Sequence, residues 1–444
     1  MFGRREPAET IKFVDDYCEW YRKLFPEVRS FEAFKYLHLG MISEVKRKTL
    51  PEIARVVGLS NEQGLLHFLT ESPWEIEKLR EARLKLILKV LAGREITLII
   101  DETGDRKKGN TTDYVKRQYI GNLGKIENGI VAVTAYGLLE GMTFPLIFEV
   151  YKPKQRLLES DVYHTKPEIA AFMIRKLREM GFKFKLVLAD SLYGESESNF
   201  IGVLCQLELN FVVAIRSNHG VWLPQGQKVR YNRWRPYNRI FSDGQQEQRY
   251  IREIVFGKRR AVQYWQVTTD PETLPPNSTW FIMTLVPGIK YKEVGNLYGL
   301  RNWVEYGLKQ SKNELGWADF RVTDYSQIQK WWEIIMSAYL LVSLHSQVLN
   351  NQPQLAGNKL TDPVVAKFRE HDWWDKGSGW KNLLNNLRLV IQPLISFNLL
   401  KPWLRVFPVS HLSIGFLTLI ALMNRMQGAI PDNLYSEDFL FSSG

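Results

Sequence analysis

Short apolar runs rich in β-branched residues recur along the middle of the chain and predict strands at 96–100, 130–138, 144–151, 186–189 and 211–215. Runs that are apolar throughout, rather than alternating, indicate strands covered on both faces. An amphipathic helix over 165–180 precedes the fourth strand and a helix at about 195–207 precedes the fifth. Residues 1 to about 92 read as charge-rich helices. Among them Leu50-Pro-Glu-Ile-Ala54-Arg-Val-Val-Gly58-Leu-Ser60, followed by Leu65, Leu66 and Leu69, predicts a helix, a glycine turn, a serine cap and a second helix. A helix-turn-helix has this pattern, and so does a plain helical hairpin. About ninety residues separate the fifth strand from Glu305, too many for an ordinary connection. Within them 250–256, 261–268 and 280–285 read as strands, which predicts an inserted β-rich subdomain. Beyond it, 331–349 is a strongly apolar helix expected to pack against the strand-rich core. The remainder reads as helices broken at Pro353, Pro363, Pro393, Pro402 and Pro408, with a loose tail from Ser436 to Gly444.

Polar positions carry the candidate chemistry. In Tyr298-Gly-Leu-Arg301-Asn-Trp-Val-Glu305-Tyr-Gly-Leu-Lys-Gln-Ser-Lys312 the numbered residues are spaced by three, four and seven. On one helix they fall at roughly 0, 300, 340 and 320 degrees, a single polar stripe, with Leu300, Trp303 and Val304 facing the other way. A carboxylate between cations suits a metal ion beside a phosphodiester. Asp101 ends the first apolar run and Asp190 the fourth, at the carboxyl ends of strands, where ligands gather on open α/β sheets. Each feature alone has a plain structural reading. A strand-end aspartate is a turn former or helix N-cap, and Glu305 can pair with Lys309 on the helix surface. Together, two strand-end acids and one helical acid form a set that could hold two Mg²⁺ ions across a phosphoryl transfer.

On these residues the chain resembles the bacterial insertion-sequence transposases with an RNase H-like core and an Asp-Asp-Glu triad. Tyr298, Arg301, Glu305 and Lys312 fit, without a gap, the signature of the branch marked by Tyr, Arg, Glu and Lys. Asp101 with Thr103, Gly104, Lys107, Lys108 and Gly109 resembles the first-aspartate motif of one group in that branch. Arg117-Gln-Tyr119, Gly121 and Leu123-Gly-Lys125 continue the likeness, and Asp190 with Tyr193-Gly194 resembles the second motif. Glu102 stands where an aspartate is often found. The resemblance covers residues 35–345. It implies that Asp101, Asp190 and Glu305 are the catalytic, metal-binding acids, with two Mg²⁺ ions for which Mn²⁺ can substitute. It also implies that Tyr298, Arg301 and Lys312 contact DNA phosphates, with Lys107, Lys108, Arg117 and Lys125 as further DNA contacts.

The expected fold is α/β: an RNase H-like mixed five-stranded sheet with helices, interrupted by the insertion, between helical amino- and carboxyl-terminal regions. The expected division is a helical DNA-binding domain at 1–92, a first core part at 93–217, the insertion at 218–291, a second core part carrying Glu305 at 292–345 and a helical region at 346–444. A formal charge of +11 and a pI of about 9.3 favour a polyanionic partner. In the insertion, Trp222, Tyr231, Trp234 and Tyr237 interleave with Arg230, Arg233, Arg235 and Arg239, which suits DNA; a partly exposed β-hairpin with a basic edge that discourages aggregation has the same composition. Cys18 and Cys205 are far apart and imply neither a disulfide framework nor a zinc site. The amino terminus lacks the apolar stretch of a signal peptide, and no uninterrupted apolar run reaches 18 residues; 334–344 and 412–423 read as buried helices. The expectation is thus a cytoplasmic, nucleoid-associated DNA transposase. It would cut at terminal inverted repeats and join them to target DNA, as a homodimer in the DNA complex and with no membrane partner. A hydrolytic nuclease on the same fold, or a domesticated DNA-binding protein, are the alternatives.

Overall fold

The computed structural model describes residues 5–221, 223, 225–241, 244–257, 261–350 and 362–430. The chain opens with helices α1 (Lys12–Glu19), α2 (Val28–Ile42), α3 (Leu50–Val57), α4 (Gln63–Thr70) and α5 (Ile76–Leu91). Strands β1 (Ile96–Arg106), β2 (Lys116–Ile120), β3 (Lys125–Leu139) and β4 (Met142–Val150) follow. Next come α6 (Lys166–Glu179), β5 (Phe184–Ala189), α7 (Ser191–Gly194), α8 (Gly202–Gln206) and β6 (Phe211–Ile215). Strands β7 (Val229–Tyr231), β8 (Arg235–Ile240), β9 (Gln246–Phe256), β10 (Gln263–Thr268) and β11 (Trp280–Thr284) precede α9 (Tyr291–Gly299) and α10 (Asn302–Asn313). The last helices are α11 (Tyr325–Leu344), α12 (Gln347–Asn350), α13 (Pro363–Phe368), α14 (Trp380–Val406) and α15 (Ser410–Met423). Two compact units result. One comprises Met1–Ala92, Thr111–Asp113 and Lys309–Gly444; the other comprises Gly93–Asn110 and Tyr114–Leu308.

The strand-rich unit is built on one mixed sheet of 11 strands, ordered β2-β3-β1-β5-β6-β11-β10-β9-β7, with β4 on β3 and β8 on β9. Its heart is β4-β3-β1-β5-β6, antiparallel from β4 to β1 and parallel from β1 to β6, the expected RNase H-like arrangement. The five strands form where the apolar runs were read, because their side chains are buried almost without exception. Helix α6 starts on a capping box in which Thr165 N–H donates to Glu168 at 2.7 Å. The insertion does not stand apart as its own subdomain: β11 pairs antiparallel with β6 and carries the core sheet onward, so the strand that would have been an edge is covered. Sequence reading missed β2, which is short and mostly polar; β7 and β8 fall where a partly exposed hairpin was the alternative reading, and each pairs with β9.

In the helical unit, α11 is buried along nearly its whole length against α2, α5 and α14. It was expected to pack on the strand-rich core; instead, within this unit, Trp332 stacks on Trp317 at 4.6 Å and Tyr339 stacks on Trp380 at 4.3 Å. The division expected at residue 345 accordingly falls inside α10, at Lys309. Glu333, fully buried on α11, accepts from Arg83 Nε at 2.7 Å and Arg80 Nε at 3.1 Å. Ser337, one turn on, meets Tyr17 and His38. The predicted helix pair is present as α3 and α4, with Gly58 at φ 82° closing α3 in the left-handed conformation. Two details differ. The N–H of Gln63 is held at 3.0 Å by Asn61 rather than by a serine cap, and Leu66 is exposed while Phe68 takes its place in the core.

The carboxyl-terminal helices depart furthest from expectation. Pro393 and Pro402 lie inside α14 without ending it. The resulting 27-residue helix is long and apolar enough to cross a membrane by length and composition alone, which a buried helix of a globular protein also satisfies. Its first two thirds are packed, with Asn398 donating to the Val56 carbonyl at 3.1 Å. Helix α15, expected to be buried, exposes nearly every side chain; only Ile420 is covered. Pro353 and the tail from Ser436 lie outside the described residues.

Candidate active site

The parallel pairing of β1 and β5 sets Ile99 opposite Leu188. Two residues further along each chain come Asp101 and Asp190, so the register brings the two acids side by side on neighbouring strands about 4.8 Å apart. Their local settings differ. Asp101 does not end its strand as expected: β1 runs five residues further, paired to β3 through Asp101↔Thr134 as far as Arg106↔Gly129. Asp190 is the N-cap of α7, its Oδ1 accepting from Leu192 N–H at 2.9 Å, so its other oxygen is the one available for chemistry. Gly194, in the same motif, allows α7 to lie against β6: a Cβ there would collide with the Ala214 carbonyl.

The segment carrying Tyr298, Arg301 and Glu305 is not one unbroken helix. Leu300 and Arg301 form a tight turn between α9 and α10, with N–H bonds reaching back three residues (Leu300 to Leu297, Arg301 to Tyr298), which tightens the winding there. This turn points Arg301 at the acids. Its Nη1 donates to Asp101 Oδ2 at 2.9 Å, while Nη2 lies 3.6 Å from Glu305 Oε1, an ion pair but too long for a hydrogen bond. Tyr298 is hydrogen-bonded to the same guanidinium. Val304 is buried as expected, whereas Leu300 and Trp303 are only half-buried. Lys312, seven residues beyond Glu305 on α10, belongs to the stretch assigned to the helical unit.

Burial dominates the electrostatics. It pushes the Asp101 carboxyl up to about 6, with Arg301 pulling it down and neighbouring Asp190 pushing it up. For Arg301 burial favours loss of the proton, but Asp101, Tyr298 and Asp190 together outweigh it and hold the guanidinium firmly charged. Two tyrosines complete the surroundings, both held protonated mainly by burial. Tyr298 is one; Tyr193, from the Asp190 motif, is fully buried beside Glu102, Asp190 and Asp101, and its hydroxyl has no hydrogen-bond partner among the described residues. Glu102 is drawn to Lys166 at the start of α6.

The structure therefore brings together Asp101, Asp190, Tyr298 and Arg301, and attaches Glu305 through Arg301. Glu305 itself is 60% exposed, and among the described residues no three acids, histidines or cysteines cluster closely enough to hold a metal. The donor set nonetheless fits a hard divalent cation: adjacent carboxylates offer oxygen ligands, and one of them, Asp101, is so deeply buried that it resists ionisation even with Arg301 beside it. Of the four other expected DNA contacts, Lys108 and Arg117 are exposed; Lys125 is exposed and pairs with Glu127 at 3.0 Å, and Lys107 is half-buried. In the insertion, Arg252 is clamped between Tyr231 and Trp234, 4.4 and 4.3 Å from the rings, a cluster sequence reasoning missed because Arg252 sits on a different strand. Tyr237 is core, packed against Gly295, and Trp222 lies outside the described residues.

A family model for the DDE superfamily of endonucleases matches residues 23–270, more than half of the chain. The chain belongs to that superfamily. The matched stretch contains Asp101 and Asp190 and ends before Glu305. A probable transposase for insertion sequence element IS701 from Microchaete diplosiphon is 67% identical over 329 residues, covering 74% of this chain and 87% of the relative. The protein is thus a DDE transposase of the insertion-sequence type with an RNase H-like fold, and membership implies dependence on a divalent metal.

Proposed function

We propose that this DDE transposase cuts DNA at the inverted repeats ending its mobile element and joins the freed ends to target DNA, in the branch with the Tyr-Arg-Glu-Lys signature. The observation that carries the reading is the juxtaposition of Asp101, within β1, and Asp190, just past the end of the parallel strand β5, with Arg301 bonded to Asp101 from the turn before α10 and Glu305 paired to Arg301. Asp101 and Asp190 would hold the metal, with Glu305 joining them once Arg301 turns to a DNA phosphate. Mg²⁺ is the ion proposed, with Mn²⁺ able to substitute. When bound, such ions lower the pKa of an attacking water and stabilise the departing 3′ oxygen.

The protein's own groups do the rest. Arg301 and Tyr298 grip the phosphate beside the scissile bond, and Lys312 grips one further along; these contacts position DNA without reading its sequence. In the first step water oxygen bonds to phosphorus and the 3′ oxygen leaves as a hydroxyl. In the second, that hydroxyl attacks a target phosphodiester and displaces the target's own 3′ oxygen, so no protein-DNA bond forms. Lys107, Lys108, Arg117 and Lys125 extend the DNA contact along β1 and the β2–β3 hairpin, and α3–α4 reads the end sequence. The protein would work in the cytoplasm at the nucleoid, as a homodimer on DNA.

The test is incubation of the purified chain with Mg²⁺ and a duplex bearing the terminal repeats of its own element. Cleavage at the repeat boundary, followed by covalent joining to an unrelated plasmid, is the expected outcome. Cleavage without joining, or without preference for the repeats, would identify a hydrolytic nuclease; tight binding without cleavage, a domesticated DNA-binding protein.

A further inference from the structure

Helix α15 contains no Asp, Glu, Lys or Arg among its 14 residues, yet only Ile420 is buried. A helix apolar on every side belongs in an interior. Helix α14 covers one side of it, and the last turns of α14 are themselves bare. Between Leu399 and Leu422 ten large apolar side chains are exposed, among them Trp403 at 66%, Val406 at 65%, Phe407 at 63%, Ile414 at 61% and Leu417 at 56%. At roughly 100 Å² each they present on the order of 1,000 Å² of apolar surface, beyond the 300–600 Å² largest patch of an ordinary monomer and close to the ~800 Å² each partner gives to a stable interface.

We propose that the α14–α15 hairpin is a self-association surface, occupied by the same hairpin of a second copy of this chain. Chemistry narrows the choice. DNA is disfavoured because α15 offers no cation to a phosphate. A membrane surface is disfavoured because helices lying in that interface carry Lys and Arg along a polar face, which α15 lacks, and at 14 residues it is too short to span a bilayer. Lys401 and Arg405, both on α14, are the only Lys, Arg, Asp or Glu from 399 to 422, so on a chain of charge +11 two copies can approach across α15 without bringing like charges together. Two hairpins related by a two-fold axis bury the same surface on both sides and form a four-helix layer. The inference rests on the transposase reading in one respect: an element has two ends, each chain carries one set of catalytic acids, and joining both ends needs two chains held together.

The test uses the full-length chain and sedimentation velocity at micromolar concentration, with and without end DNA. Wild type should sediment at twice the mass of one chain. Ile414→Glu/Leu417→Glu, and separately Phe407→Glu, should sediment as monomers, with association weakened at least 100-fold and with the circular dichroism of wild type. Both variants should still nick a single end and lose paired-end joining. Monomeric wild type under both conditions, or variants that still pair, would overturn the proposal. So would flotation of wild type with phosphatidylglycerol-phosphatidylethanolamine vesicles while it stays monomeric, or the appearance of dimers only after deletion of residues 431–444, which would make the chain's own tail the occupant. Mass is read without any cleavage, so a dimeric but inactive protein would contradict the transposase reading alone.

Discussion

Replacing Asp101 by asparagine separates the cost of its charge from the rest of the fold. Burial lifts this carboxyl from 3.8 to about 6, so the folded protein holds its proton more tightly than the unfolded chain does. The stability contributed by the protonated form is complete below pH 4 and is lost as pH rises through about 6. A shift of roughly two units at 1.36 kcal/mol each makes the loss about 3 kcal/mol. Asparagine imitates the protonated acid at every pH. The difference in stability, variant minus wild type, should therefore be flat below pH 4, climb by about 3 kcal/mol between pH 4 and 6, and be flat again above. Native-state hydrogen exchange of the β1 and β5 amides reads this unit by itself, and subtracting the two proteins cancels other titrating groups. Millimolar Mg²⁺ at pH 7 should protect wild type and do nothing for the variant. A difference that stays constant from pH 4 to 8 would refute the buried-charge account of Asp101.

Arg301→Ala should reduce cleavage at least 10-fold, with partial recovery at low salt or high protein, because a phosphate grip is lost; in DNA-free protein it should also strengthen Mg²⁺ binding by calorimetry, since the guanidinium no longer covers Asp101. Loss of metal binding in that variant would show Arg301 to be structural. Glu333→Ala removes the buried carboxylate that Arg80 and Arg83 share and should destabilise the helical unit by about 3–5 kcal/mol in urea unfolding; a loss under 1 kcal/mol would mean that water reaches the two guanidinium groups. End-DNA affinity should fall linearly with log salt at about 0.9 per neutralised phosphate, and a flat titration would contradict the proposed DNA contacts.

The five core strands were legible because both of their faces are buried and the sequence there is apolar without interruption. The reach of β1 beyond Asp101 was not. Residues 102–106 read as a polar turn, and only their pairing with 129–133 of β3 keeps them extended. For Asp190 the plain and the functional readings coexist, since one oxygen caps α7 and the other remains available. The polar stripe was legible as a periodicity, but the turn at Leu300 and Arg301 that aims the guanidinium was hidden, because those residues break nothing in the pattern. The Arg301–Asp101 contact spans 200 residues, and no spacing rule reaches that far. Apolar composition misled at α15, where hydrophobicity was taken to mean burial within one chain.

The measurement that bears most directly on the proposed active site is end cleavage by Asp101→Ala, Asp190→Ala and Glu305→Ala, run beside binding of the same end DNA by gel shift. Each change should abolish Mg²⁺-dependent cleavage while leaving affinity for the duplex largely intact, and any double variant should be no worse than a single one, because the three acids act as one unit. Glu305→Ala decides most, since Glu305 is the acid held furthest from the pair. Continued Mg²⁺-dependent cutting by that variant would contradict the triad.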